Sequence, residues 1–280
     1  MESDWGFEEV SAEQLREYIQ KKKEGDYLLI DVRQPVEYAG GHMPGANLIP
    51  LMEVEAKLSE LPRDRDMIFY CRSGRRSRAA STLVTERGIS GKKIYNLAGG
   101  IMAWDGKILP DFPKVEVFDK SKGFSELLFM SMDLEKGAWR FYTYIVERFG
   151  SQSFAKTIEH LVHAETAHAE TIYHFWKKNE PQPQPFESLF TELRGEVLEG
   201  GESLNDVLKR VETIKENVCL NLLEMALDIE YSAFDLYRTM AEQTESTEAK
   251  SAFLSIAQAE KAHMQTIARA VSNCPEVGGG

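Results

Sequence analysis

Six side chains recur in a pattern that could hold metal. Glu135 and Glu230 lie 95 residues apart, and the same offset separates Glu165 from Glu260 and His168 from His263. In each Glu-x-x-His the carboxylate and the imidazole fall on one face of a helix, because residues three apart are neighbours there. Turned inward together, the six give four carboxylates and two imidazoles. Carboxylate oxygens can bridge two cations, and imidazole suits iron. A single Glu-x-x-His is ordinarily a surface pair. Two copies at one offset, each preceded by a matched Glu in an apolar pattern, are not, since unpaired buried charge is costly and a cation compensates it.

The second chemical group is Cys71, in the run Cys71-Arg72-Ser73-Gly74-Arg75-Arg76. The apolar stretch Met67–Tyr70 precedes it, and a helical pattern opens near Arg76 or Ser77. A cysteine between the end of a strand and the start of a helix meets backbone amides and the positive end of the helix dipole, which favour the thiolate. Arg72, Arg75 and Arg76 add positive charge. A persulfide, whose terminal sulfur is anionic, needs the same surroundings. The other cysteines are Cys219 and Cys274, and no pair has C-x-x-C spacing. A disulfide scaffold or zinc ribbon is not expected, and one reactive thiol is the better use of the odd count.

These groups need elements to position them. Ser11-Ala-Glu-Gln14 is a capping box opening a helix to about Lys23. Tyr27–Val32, Met67–Tyr70 and Lys93–Leu97 read as buried strands with helical patterns between and after them, which implies an α/β domain with a mainly parallel sheet. Pro110–Pro113 ends that pattern. Long helices then fit 124–149, 153–178, 217–243 and 247–272. The stretch 186–216, entered through Pro181–Pro185 and broken at Gly200-Gly201, reads as a long crossover between two helix pairs. The 95-residue offset also matches Leu128 with Leu223, Ala138 with Ala233 and Tyr142 with Tyr237, so the second half is a duplicated helix hairpin. The expected limits are 1–112 for the first domain, 113–122 for a linker and 123–275 for an all-α four-helix bundle.

Charge narrows the partners. The net charge of −12 argues against a general nucleic-acid binder. Residues 113–280 carry −10 of it, mostly as a solvated acidic helix surface. No apolar run is long enough to span a membrane. Met1-Glu2-Ser3-Asp4 lacks the basic and apolar regions of a signal peptide, so the chain is read as cytoplasmic.

Residues 5–108 resemble the single-domain rhodanese family. The likeness is carried by Asp31-Val-Arg33, Glu37-Tyr38, Gly41-His42-Met-Pro44-Gly45-Ala46, Ile49-Pro50, Cys71-Arg-Ser-Gly74-Arg-Arg-Ser77 and Leu97-Ala-Gly99-Gly100-Ile-Met-Ala-Trp104. The resemblance implies that Cys71 takes a sulfane sulfur, with 72–76 as the anion-binding loop, and that Asp31 and Arg33 support the fold. Related phosphatases have a loop one residue longer, and the arginine they require would fall at Ser77. A phosphatase is the alternative for this module, disfavoured because Arg76 closes a six-residue loop of the size expected for sulfur, and a silent docking module, against which Cys71 itself argues, is another.

Residues 122–274 resemble the rubrerythrin branch of the ferritin-like superfamily, through Glu135-Lys-Gly-Ala-Trp-Arg-Phe-Tyr142-Thr-Tyr144 and Ala164-Glu-Thr-Ala-His168-Ala-Glu. The resemblance implies two iron ions, with manganese as second choice. It places Glu165 and Glu260 as bridges, and Tyr142 and Tyr237 beside the ligands. The chain departs from the family in having no four-cysteine iron site. It also carries Ala233 where a further glutamate usually stands three residues after the third-helix ligand. Together the two resemblances imply a sulfurtransferase fused to a di-iron redox centre acting on peroxide or oxygen, with a role in oxidative stress. The sulfur donor is a small molecule, the acceptor a thiol or cyanide, the electron donor unspecified, and a homodimer is expected. The alternative is a sulfurtransferase whose bundle stores metal or only dimerises.

Overall fold

The computed structural model describes residues 6–89, 92–119 and 122–277. Met1–Asp4 and linker residues 120 and 121 lie outside them. The described residues form two compact units, one running to Phe112 and including Ala241–Gln243, the other comprising the rest from Pro113 onward. Among them no helix is long and apolar enough to cross a membrane.

In the first unit β1 (Glu8–Val10), α1 (Ala12–Lys21), β2 (Tyr27–Asp31), α2 (Pro35–Ala39), β3 (Asn47–Leu48), α3 (Leu51–Val54), β4 (Asp66–Tyr70), α4 (Arg75–Glu86) and β5 (Ile94–Leu97) follow one another. The sheet runs β1-β5-β4-β2-β3, and every pairing is parallel. Ser11 and Gln14 close the capping box of α1. Because side chains alternate across a strand, Leu28, Ile30, Met67 and Phe69 fill one core, and Tyr27, Leu29, Ile68 and Tyr70 fill the other. A sheet covered on both faces needs such near-continuous apolar strands. The central strand β4 ends at Tyr70, so Cys71 is the first residue beyond its carboxyl end.

The second unit has four long helices, α5 (Phe124–Phe149), α6 (Ala155–Asn179), α9 (Val218–Gln243) and α10 (Thr247–Val271), with the short α7 (Phe186–Glu192) and α8 (Leu204–Thr213) in the crossover. It is a ferritin-like four-helix bundle. Leu128 and Leu223, matched by the repeat, are both fully buried, as are Tyr142 and Tyr237. Cys219, in the first turn of α9, is joined by a disulfide to Cys274, just beyond α10. The sequence reading, which expects no disulfide scaffold and one reactive thiol, does not foresee this single bridge. Antiparallel helices bring the start of one beside the end of the next, and a 55-residue separation gives no local signal of it. Cys71 is the free cysteine.

Candidate functional site

Cys71 is buried at the floor of the loop between β4 and α4. Its Sγ accepts from the Gly74 amide at 3.2 Å and from the Ser77 hydroxyl at 3.5 Å. Burial raises the thiol pKa, but the Ser77 hydroxyl and the amides of Ser77, Ser73 and Arg76 outweigh it and leave the thiol below its ordinary value. The loop is backed by a second turn. Ile101 and Met102 amides donate to the Cys71 and Arg72 carbonyls at 2.8 and 3.1 Å. Gly100, at φ +61°, lies so close that a Cβ there would stand 2.3 Å from the Cys71 carbonyl oxygen.

The arginines do not act as one cluster. Arg72 and Arg75 are exposed. Arg76 is forked on Glu37, both bonds at 2.7 Å, and this pair holds the Glu37 carboxyl down to about 2. Local charge at Cys71 therefore comes more from hydroxyl and amide donors than the count of three arginines implies. Asp31 and Arg33 are a buried ion pair at 2.6 Å, and Arg33 also donates to the Gly41 carbonyl at 2.8 Å.

In the bundle, Glu135, Glu165, His168, Glu230, Glu260 and His263 are all buried, and the six converge. His168 Nδ1 lies 3.3 Å from Glu135, 3.5 Å from Glu165 and 3.2 Å from Glu260. His263 Nδ1 lies 3.0 Å from Glu230, 3.5 Å from Glu165 and 3.4 Å from Glu260. Each imidazole thus meets the lone Glu of its own hairpin and both Glu-x-x-His carboxylates. The imidazoles stack with centroids 4.6 Å apart. The tyrosines cross between hairpins: Tyr142 donates to Glu230, and Tyr237 donates to Glu135 at 2.7 Å.

Packed this closely, these groups disturb one another. Burial, then the Glu230 charge, pushes Glu165 well above the carboxylate range. Glu230 rises to about 8 through burial and Glu260. Burial opposes the charge on both histidines, yet Glu260 holds His168 well above its usual value and Glu230 lifts His263 to about 11. Glu260 alone is held low, because His168 outweighs its burial.

Comparison with known proteins bears on both units. A rhodanese-like domain model matches residues 11–107. A sulfurtransferase of Allochromatium vinosum is 38% identical over 102 residues, 36% of this chain and 92% of that protein. The chain belongs to the rhodanese-like family. A rubrerythrin model matches residues 221–276 of the same chain. The thiosulfate sulfurtransferase GlpE of Pseudoalteromonas translucida is 28% identical over 35% of this chain and 90% of its own length. A solved rhodanese-related protein of Thermoplasma volcanium is 28% identical, covering 37% of this chain and 98% of that one at a TM-score of 0.33.

The helical unit's donors fit the metal pair that the rubrerythrin match implies. One ligand atom from each of Glu165, His168, Glu260 and His263 lies within 4.8 Å of the others. Glu165 Oε1 is buried without a hydrogen-bond partner, as an oxygen kept for a cation would be. The nearby His160, His163, His174, Glu159 and Glu170 are exposed and lie outside the cluster.

Three residues escaped sequence reasoning. In the rhodanese-like unit, Ser77 entered only as a test of loop length and Glu37 only as a motif letter, yet they touch Cys71 and Arg76. In the rubrerythrin unit, Glu199 is 2% exposed within the crossover. Burial, then the charges of Glu135 and Glu165, pushes it well above the carboxylate range. The only signal was its place beside Gly200-Gly201, which reads as a chain break.

Proposed function

We propose that the rhodanese-like unit, residues 1–112, transfers sulfane sulfur through Cys71, and that the rubrerythrin unit, residues 123–275 beyond a 113–122 linker, is a di-iron oxidoreductase reducing peroxide or activating oxygen. The observation that carries the first half is a free thiol with a lowered pKa at the start of α4, facing amides and a hydroxyl. With thiosulfate as donor, the Cys71 thiolate attacks the sulfane sulfur. A new S–S bond forms, the bond to the sulfonate breaks, and sulfite leaves with the electron pair. The loop amides, from 72–76, hold the terminal sulfur of the persulfide. A thiolate or cyanide acceptor then attacks that sulfur and returns Cys71 as thiolate. Arg76, fixed by Glu37, orients the loop and adds charge, while Arg72 and Arg75 face an arriving anion.

For the second half the carrying observation is that both imidazoles meet both shared carboxylates. Glu135 with His168, and Glu230 with His263, would each hold one iron, and Glu165 and Glu260 would bridge. Two irons so held can exchange two electrons with a peroxide or oxygen. Tyr142 and Tyr237 orient Glu230 and Glu135 across the hairpin boundary, and the buried bundle excludes water. Turnover of such a centre would need an electron donor. Metal analysis of protein grown in iron-rich medium and purified anaerobically without chelator should give two ions per chain. Glu165→Ala should lower occupancy more than Glu135→Ala does, because losing a bridge affects both ions. Mass spectrometry after thiosulfate should find one added sulfur on the Cys71 peptide and none in Cys71→Ser. No metal in the bundle sinks the second half, and sulfur only on another cysteine sinks the first.

A further inference from the structure

We propose that Glu199 is a fifth carboxylate ligand of the metal centre, delivered by a hairpin turn of the crossover rather than by any of the four long helices. The proposal rests on the metal reading above. The turn is well defined. Leu198 N–H donates to the Glu202 carbonyl at 3.0 Å, and Gly201 N–H donates to the Leu198 carbonyl at 2.8 Å. Val197 and Ser203 form an antiparallel bridge, and Gly201 closes the turn at φ +77°. Glu199 is therefore the second residue of a tight turn, a position where a charged side chain ordinarily faces water. Here it is 2% exposed, and its buried Oε2 has no hydrogen-bond partner. A carboxylate in that state is costly unless a cation completes it.

The turn is fastened to α5 beside Glu135. The Asp133 carboxylate accepts the Arg194 and Gly195 amides at 2.7 and 3.0 Å, and Arg140 donates back to the two carbonyls at 2.5 and 3.1 Å. Gly137, two residues after Glu135, makes room for the crossover segment. A Cβ at 137 would stand 2.4 Å from the Val197 carbonyl oxygen, and one at Gly195, itself at φ +54°, would stand 2.7 Å from Gly137 N. Glu199 is near enough to feel the charges of Glu135, Glu165 and Glu260, and its own charge reaches the hydroxyls of Tyr142 and Tyr237. Because the turn packs on Gly137, two residues from Glu135, the side of the cluster nearest it is that of Glu135.

Glu199 has no counterpart in the 95-residue repeat. The two ions consequently differ: one gains a carboxylate from outside the duplication, while the ion at Glu230 and His263 does not. Co(II) titration of the full-length protein reads this directly, through visible absorption and metal retained after desalting. Wild type is expected to bind two Co(II). Glu199→Gln is expected to weaken one ion by about tenfold to a hundredfold, on the scale of losing a well-placed partner at a metal site, to shift that ion's bands, and to leave the other unchanged. Urea unfolding of the metal-free variant checks that it is folded. Two unchanged affinities with an unchanged spectrum in folded Glu199→Gln overturn the proposal and leave the metal reading standing. Wild type that takes up no Co(II) overturns both. If Glu199→Gln does not fold, Glu199→Asp, which keeps the charge but withdraws it by one methylene, takes its place: weakening of one ion supports the proposal, and no change overturns it.

Discussion

At the scale of single residues, the thiol of Cys71 depends on a hydroxyl. Burial works against the thiolate, and Ser77 is the partner that does most to restore it. The thiolate is lost as pH falls through the folded pKa, so a lower pKa keeps more of it at neutral pH. Ser77→Ala should move the midpoint of iodoacetamide alkylation to higher pH. It should also slow sulfur loading at neutral pH, by about tenfold for every pH unit the midpoint climbs. An unmoved midpoint would assign the lowering to the amides alone. Glu37 offers a second residue-scale prediction. Its carboxyl is held down to about 2 by Arg76, against about 4.3 in an unfolded chain. The pair's stabilisation is therefore complete above the unfolded value and is lost as pH falls toward 2. The pair is partly exposed, so the stability at stake is at most about 1 kcal/mol. Glu37→Gln should leave neutral-pH stability nearly intact but raise the KM for thiosulfate, because Arg76 loses its anchor. An unchanged KM would make the pair merely structural.

At the scale of elements, the bundle is two copies of one hairpin with two fastenings the duplication does not contain, one from the crossover to α5 and one within the second copy. The first is the crossover turn against Gly137. Gly137→Ala places a methyl where Val197 O stands, so the turn or α5 must shift. It should destabilise by roughly 1–3 kcal/mol and reduce metal retention, as read by urea unfolding and metal analysis together. The second is the Cys219–Cys274 bridge, closing 55 residues. Periodicity and the repeat made the helices, the six inward groups and their shared face legible, because a helix converts spacing into geometry. The α/β unit was legible for a like reason: strands buried on both faces announce themselves as apolar runs. What was not legible lies where geometry is set by distant backbone. Glu199 points inward only because a turn is pinned to α5. Cys219 meets Cys274 only because two helix ends coincide, and Arg76 turns to Glu37 because α2 stands beside the loop.

At the scale of the whole chain, each site and its supporting hydrogen bonds lie within one unit, with separate cores behind them. Metal removal should therefore act on one unit and spare the other. At the cluster the buried carboxylates Glu135, Glu165, Glu230 and Glu260, with Glu199 near them, outnumber the two histidines. Without a cation they repel one another, and protons are taken up where burial and neighbouring charge demand it, as at Glu165 and Glu230. A metal bound only by the folded state stabilises it by about 2.7 kcal/mol when free metal is a hundred times its Kd. Chelation under reducing anaerobic conditions should lower the unfolding temperature of the helical signal, followed by far-ultraviolet circular dichroism. Sulfur loading of Cys71, followed by mass spectrometry, should proceed at the same rate in chelated and metal-loaded protein. Conversely, Cys71→Ser should retain its full metal complement. Loss of sulfur loading on chelation, at a temperature where the first unit is still folded, would show that the sulfur site depends on the metal and would overturn the independence argued from the separate cores.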